Sequence, residues 1–167
     1  MKLVSIWTFL ILVALNTFFN VFLFKPRVKS YPAKTFDGRI KGFRPSEAKG
    51  ILKQFKDAGK LDAYLEQEWK IDLIYPLIYT AMFAVAILGL GAPRWMVLLP
   101  LIGMVGDYVE NFSVIGMIVQ YRDHGTVPYP LAVLASVGSR VKWSFTLASA
   151  AVVLALGVWW LIRVVRR

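Results

Sequence analysis

The sequence predicts an all-α, polytopic membrane protein: a bundle of four transmembrane helices with an amphipathic helical insertion between the first two. Of the 167 residues, 57% are hydrophobic, and the mean hydropathy of +0.57 is too apolar for a soluble domain of this size. Four stretches are long enough to cross a bilayer, which takes ~20 apolar residues. Barrel-like alternation is absent, so helices are the remaining way to satisfy the backbone in lipid.

The chain is expected to form one membrane domain over residues 1–167. The predicted transmembrane helices cover residues 3–24, 71–90, 95–120 and 141–162, and the insertion covers residues 25–70. The first stretch follows a single lysine, but "NTFFNVFLFKPR" lacks the small-x-small pattern of signal-peptide cleavage, so a retained helix is expected. Because the chain has no cysteine, disulfides, thiol catalysis and cysteine metal sites are excluded.

The insertion contains a helix start in "RPSEAKGILKQFKDAG", with Ser46 after Pro45 as the candidate N-cap and Gly59 as the stop. Apolar residues fall on one face of this helix, namely Ile51, Leu52 and Phe55. Basic residues fall on another, namely Lys49, Lys53, Lys56 and Lys60. Such a helix can lie in the membrane interface with its lysines among the phosphates, or it can carry a solvated basic face with no lipid role. A second short helix, "KLDAYLEQEWK", is expected to run on into the second transmembrane helix.

The net charge of +10 comes from residues that cluster at helix ends and in the insertion, and no nucleic-acid motif is present. Anionic lipid headgroups are therefore the expected partner, and nucleic acid is not. Fifteen of the 20 Lys and Arg residues lie in the insertion, the 121–140 loop and the start of the last helix. By the positive-inside rule, insertion 25–70 and loop 121–140 face the cytoplasm, although the basic ending "RVVRR" argues the other way.

Each predicted transmembrane helix carries its polar residues on one face, at spacings of three and four. The first two helices contribute Asn16, Asn20, Asp72, Tyr75 and Tyr79. The last two contribute Asp107, Glu110, Asn111, Lys142, Thr146 and Ser149. At ~1.5 Å rise per residue, all lie within about 20 Å of the interface that carries the basic connections. They predict a shared polar chamber, open toward that side and closed on the other by "AVAILGLG" and "AVVLALGVWW".

An ionisable residue within a span is costly and is a functional-site hypothesis by default. Asp107 and Glu110, in "GDYVENFS", are the candidate acid and base; Asp72 is a third catalytic candidate and Lys142 the counter-charge. The predicted ligand-binding residues are Asn16, Asn20, Tyr75, Tyr79, Asn111, Lys142 and Thr146. Alternatively, the acidic pair is a buried latch that fixes helix register, and Asp72 and Lys142 are ordinary interface residues.

A metal bound by the three acidic candidates is conceivable and would favour Mg²⁺ or Ca²⁺, but no metal and no cofactor is expected. The single His124 lies in a polar loop and is expected to be solvated. No nucleophilic triad, Walker or Rossmann motif appears.

Proline and glycine mark two further features. Pro76 removes one helical hydrogen bond, so the second transmembrane helix is expected to kink and to leave the carbonyl of Asp72 as a spare acceptor. Gly103 and Gly106 allow close helix approach beside Asp107, as a packing notch or as a substrate groove.

The segments "DLIYP" and "DYVEN", followed by a lysine at the start of the last helix, resemble a group of small bacterial four-helix membrane proteins over roughly residues 45–145. The resemblance implies the chamber and a bacterial inner membrane, but no reaction. In architecture alone, the layout is also similar to the EXPERA group of small bundles with membrane-embedded acidic residues around a cavity.

The leading functional hypothesis is binding of an amphipathic lipid, isoprenoid or sterol-like molecule in the chamber, with acid/base catalysis as an optional second activity of the same site. The alternative is a non-catalytic subunit or assembly factor whose polar cluster locks the helices. A proton or ion path is a third hypothesis, which the apolar far half of the bundle disfavours.

Overall fold

The computed structural model describes residues 3–166, with only the backbone described for residues 3–5 and 164. This part of the chain contains helices, turns and loops but no strand, which confirms the all-α prediction. The α-helices are α1 (Leu3–Phe18), α2 (Lys25–Lys29), α3 (Ala48–Asp57), α4 (Leu61–Gln67), α5 (Tyr75–Gly89), α6 (Leu98–His124) and α7 (Tyr129–Val165). Two π-helical segments, Phe19–Phe24 and Glu68–Asp72, link α1 to α2 and continue α4 toward α5.

Four helical stretches are long and apolar enough to cross a membrane. They are Ile6–Lys29, Leu61–Gly89, Arg94–His124 and Tyr129–Arg163. The stretch that begins at Leu61 confirms that the second short helix of the insertion runs on into the second spanning helix.

The fourth helix is longer than its predicted range of 141–162, and most of the predicted loop 121–140 is helical. Helix α6 extends to His124, Gly125 follows in the left-handed region at φ 69°, and α7 begins at Tyr129. The apolar criterion missed this first part of α7 because it carries Ser136 and Arg140. Those polar side chains bind the insertion instead of lipid, as described below.

The insertion helix α3 packs its apolar face against the protein. Its four buried residues are Ala48, Ile51, Leu52 and Phe55. They form one core with Tyr64 of α4 and with Val114, Ile118 and Tyr121 of α6. The predicted N-cap was wrong: Ser46 lies inside a 3-10 turn, and the Glu47 side chain accepts a hydrogen bond from the backbone of Arg44 instead. Gly59 does follow the helix end, at φ 64°.

Residues 30–44, which we call the strap, cross the first turns of α7 without forming a helix. Ser136 Oγ accepts a hydrogen bond from the Phe43 nitrogen at 3.2 Å and donates to its carbonyl at 2.7 Å. Further along α7, Arg140 Nε donates to the Lys41 carbonyl at 3.2 Å. The insertion and the short connection between α6 and α7 therefore lie at the same end of the bundle, as the chain topology predicts.

Helices α6 and α7 cross at two glycines. A Cβ on Gly138 would lie 2.7 Å from both the Glu110 nitrogen and the Gly106 carbonyl oxygen. A Cβ on Gly106 would lie 2.7 Å from the backbone nitrogen of Lys142, and one on Gly103 would lie 3.3 Å from Thr146 Oγ1. The predicted close approach beside Asp107 is confirmed as a packing notch, and Gly138 is its counterpart on α7.

Gly138→Ala is expected to destabilise the fold by about 1–3 kcal/mol, because the added methyl group meets backbone atoms that can move only with their helix. Gly157→Ala, in the same helix, has nothing within 4 Å of the new Cβ and is the matched control. It should be neutral or stabilising by up to about 1 kcal/mol. Thermal unfolding in detergent compares the two variants, and equal melting temperatures would contradict the crossing.

Candidate functional site

The glycine crossing brings a buried lysine together with three carboxyl groups. Lys142 Nζ lies 2.5 Å from Glu110 Oε2 and 3.3 Å from Asp107 Oδ1, and it also forms an ion pair with Asp37 Oδ1. Lys142 and Asp107 are each 4% exposed, and Glu110 is fully buried. The structure thus places Lys142 as the counter-charge of the predicted acidic pair and adds a third carboxyl group from the strap.

Sequence reasoning missed Asp37 because the strap has no periodicity that assigns its side chains to a face. One signal was available, since Asp37 is the only acidic residue between positions 25 and 46, a region rich in lysine and arginine. Its backbone carbonyl accepts a hydrogen bond from Trp143 Nε1 at 3.1 Å. The neighbouring Phe36 is fully buried, and its nitrogen donates to the Tyr64 hydroxyl at 3.1 Å.

Beside this ion-pair cluster lies a cavity of about 270 Å³. Eight of the ten predicted site residues line it, namely Asn16, Asn20, Asp72, Tyr75, Tyr79, Asp107, Lys142 and Thr146. Charged groups therefore line it from three helices and from the strap, through Asp37. Apolar side chains also line it, namely Phe24, Val28, Met82 and Phe83. The predicted residues Glu110 and Asn111 do not belong to this lining.

Hydrogen bonds orient the polar side chains of the cavity. The Tyr79 hydroxyl donates to Asp107 Oδ2 at 3.0 Å, and Asn20 Nδ2 donates to the Tyr75 hydroxyl at 2.9 Å. Asn20 Nδ2 also donates to the Asn16 carbonyl at 2.8 Å, so α1 and α5 share one polar seam. Tyr75 and Tyr79 lie about one turn apart on α5, so they supply hydroxyl groups to the cavity at two depths.

Gln67 is a second residue that sequence reasoning missed, because it falls in the insertion and not in a predicted span. Its Nε2 donates to Asp72 Oδ2 at 3.1 Å, and its Oε1 accepts from the Tyr31 hydroxyl at 3.0 Å. Burial raises the pKa of Tyr31 to about 12, so this hydroxyl keeps its proton and remains a donor across the neutral range. The chain Tyr31–Gln67–Asp72 thus ties the strap to the cavity.

Where a kink was predicted at Pro76, the structure has a break in the helix, and two carbonyls at the break accept hydrogen bonds. After the π-helical segment Glu68–Asp72 the chain turns, and α5 begins at Tyr75. Asn111 Nδ2 donates to the Asp72 carbonyl at 2.7 Å, and the Tyr108 hydroxyl donates to the Leu73 carbonyl at 3.0 Å. The acceptor expected to be spare is therefore used by Asn111, which explains why Asn111 points at the backbone and not into the cavity.

Glu68, in the same π-helical segment, is a further buried carboxyl group that sequence reasoning missed. It is 1% exposed, and within residues 3–166 neither of its carboxylate oxygens has a hydrogen-bond partner.

Three carboxyl groups have the spacing of a metal site, but a lysine lies among them. Ligand oxygens of Asp37, Asp107 and Glu110 all lie within 4.8 Å of one another. Asp72, which the sequence suggested as the third ligand, is not in this group. Because the Lys142 ammonium contacts all three oxygens, it supplies the positive charge that a metal ion would bring.

Comparison of the chain with protein-family models, with curated proteins and with solved structures finds no match. The resemblance to small bacterial four-helix membrane proteins therefore stays a prediction.

Asn111→Leu is expected to destabilise the protein by about 1–3 kcal/mol, because the buried Asp72 carbonyl loses its donor. In a Pro76→Ala background the same change should cost less, since the alanine N–H can bond the carbonyl four residues back. Thermal unfolding of the four proteins forms a double-mutant cycle. Phe112→Leu, at a neighbouring exposed position, is the control. Strictly additive effects would contradict this role of Asn111.

Proposed function

We propose that this protein binds an amphipathic lipid-like molecule, of the lipid, isoprenoid or sterol class, in the cavity lined by the four spanning stretches and the strap. The observation that carries the proposal is the composition of the cavity lining. Lys142, Asp72 and Asp107 offer charge and hydrogen bonds to a headgroup, and Met82 and Phe83 offer apolar contact to a chain or ring. Ligand sites characteristically combine apolar walls with a few oriented polar groups.

The surroundings of the cavity support access from a membrane. The π-helical segment that follows α1 packs on α5 through Phe19 and Phe24, whose rings lie 6.0 and 5.0 Å from that of Tyr75. Asn20, in this segment, is exposed at the protein surface. We place the chain in a bacterial inner membrane with insertion 25–70 and the connection between α6 and α7 on the cytoplasmic side. Exposed lysines of α3 would there meet anionic headgroups.

Acid/base chemistry, if the bound molecule undergoes any, falls to Asp107 and Asp72. Both line the cavity, and the Tyr79 hydroxyl bonded to Asp107 can relay a proton. Glu110 was the second catalytic candidate, but it lies outside the lining and pairs with Lys142. Its part in this proposal is to position that lysine.

Met82→Trp is expected to fill the cavity and displace the bound molecule. Native mass spectrometry with lipidomics on gently extracted protein should find a defined co-purifying species in the wild type and not in this variant. Leu77→Trp, also on α5 but 53% exposed, is the matched control and should retain the species. Recovery of bulk phospholipid alone, equal in all three proteins, would refute the proposal.

The second candidate is a non-catalytic subunit whose polar cluster locks the helices. It is favoured by the pairing of Lys142 with all three carboxyl groups beside the glycine crossing of α6 and α7. The two candidates differ in what Asp107→Asn does. An asparagine still accepts from Tyr79, and Asp37 and Glu110 still pair with Lys142.

For a binding site, Asp107→Asn is expected to shift stability by no more than about 1 kcal/mol and to lose or alter the co-purifying lipid. Melting temperature and lipid content are measured on the same preparations, with Asp123→Asn at an exposed position as the control. A large fall in melting temperature with unchanged lipid content would favour the latch.

A further inference from the structure

We propose that the headgroup bound in the cavity is an anion, a phosphate or a carboxylate, and that it replaces Asp37 on the Lys142 ammonium. The inference rests on the proposed function and names the class of ligand. In the structure the Asp37 carboxylate stands where the ligand's own anionic group would bind.

Asp37 is the one exchangeable partner of Lys142 among its three carboxyl groups. Its side chain is 42% exposed, whereas those of Asp107 and Glu110 are 5% and 1% exposed. Burying a further unpaired charge is costly, so an anion can enter most readily where another leaves. Rotation of Asp37 into water offsets the charge that the headgroup brings, fully for a carboxylate and in part for a doubly charged phosphate.

The exchange requires movement of a side chain and not of the strap. Trp143 Nε1 holds the Asp37 carbonyl, and the adjacent Phe36 is fully buried with its nitrogen bonded to Tyr64. These contacts involve backbone atoms and a neighbouring residue, so they persist when the Asp37 carboxylate turns outward. The strap remains the wall of the cavity in both states.

A hydroxyl group that faces the cavity also suits an anion. The Tyr75 hydroxyl accepts from Asn20, and within residues 3–166 its own hydrogen has no acceptor, so it can donate to a ligand oxygen. Asp107 and Asp72 each already accept a hydrogen bond, from Tyr79 and Gln67 respectively. A free donor and an exchangeable ammonium therefore line the same space.

The charge of the chain around the strap favours the approach of anions. Residues 25–44 contain seven lysines and arginines and a single acidic residue, Asp37 itself. A surface of one sign raises the local concentration of the opposite ion. An anionic amphiphile would reach the cavity past this basic segment, while a cationic one would be repelled.

The test measures binding of three probes to the purified full chain in neutral maltoside micelles by native mass spectrometry. The probes are dodecyl phosphate, dodecyltrimethylammonium and inorganic phosphate. Asp37→Asn is expected to raise the affinity for dodecyl phosphate at least about tenfold. In the wild type Asp37 occupies Lys142 in all but about a tenth of the molecules or fewer, and the variant removes this competition. Lys142→Gln should abolish this binding. Asp57→Asn, an exposed aspartate of the insertion paired with Lys53, is the control and should change nothing.

Each other outcome overturns a stated part. Unchanged or weaker binding of dodecyl phosphate to Asp37→Asn refutes the replacement of Asp37. Tighter binding of dodecyltrimethylammonium than of dodecyl phosphate to the wild type refutes the anionic headgroup. Both results leave lipid binding intact. Equal binding of inorganic phosphate refutes a lipid headgroup as the source of the anion. Failure of all probes, with a co-purifying lipid still lost in Met82→Trp, refutes this inference alone. The direction in which Asp37→Asn changes the affinity for dodecyl phosphate tests the proposal by itself. The test therefore does not depend on whether Lys142→Gln folds.

Discussion

The fold depends on one constraint: the Lys142 ammonium is buried inside a helix bundle and must be paired there. An unpaired buried charge costs several kcal/mol, so the surroundings of Lys142 are tightly specified. Two carboxyl groups come from α6, which requires α6 and α7 to approach through Gly106 and Gly138. The third comes from Asp37, which requires the strap to cross α7. The helix crossing, the strap and the lysine therefore form one unit.

The break in the second spanning helix also fixes the position of α6, the helix that supplies two acids to Lys142. Pro76 leaves carbonyls that α6 satisfies through Asn111, so α6 is bonded to the broken helix just where it also supplies acids to Lys142. One turn further along α5, the Tyr79 hydroxyl fixes Asp107. The cavity is the space that remains between these bonds and α1, which explains why its polar groups belong to the same network as the structural ones.

The spans and most of the cavity lining could be predicted, because in a bilayer polar side chains at spacings of three and four must face the interior of the bundle. The neighbour that each polar residue contacts could not be predicted in this way. Asn111 shares a helix face with Asp107, yet it meets a freed carbonyl whose position depends on the break at Pro76. Asp37 and Gln67 could not be predicted as site residues, because the strap has no hydrophobic periodicity and α4 is too polar to be predicted as a span. The first part of α7 was missed because it carries polar side chains, and hydropathy does not show that Ser136 bonds to the strap.

The two functional candidates make opposite demands on the same cluster, and the exposure of its members separates them. A latch gains most when every partner of the lysine is buried, since water weakens an ion pair. Glu110 and Asp107 meet that condition, but Asp37 lies 42% exposed on an irregular segment and lines a cavity. A pure latch has no need of that third, weaker partner or of the space beside it. Lys142 can hold the helices through the fully buried Glu110 and still present its ammonium to the cavity, which Asp107 and Asp37 also line. The structural role and the binding role then belong to different partners of one residue.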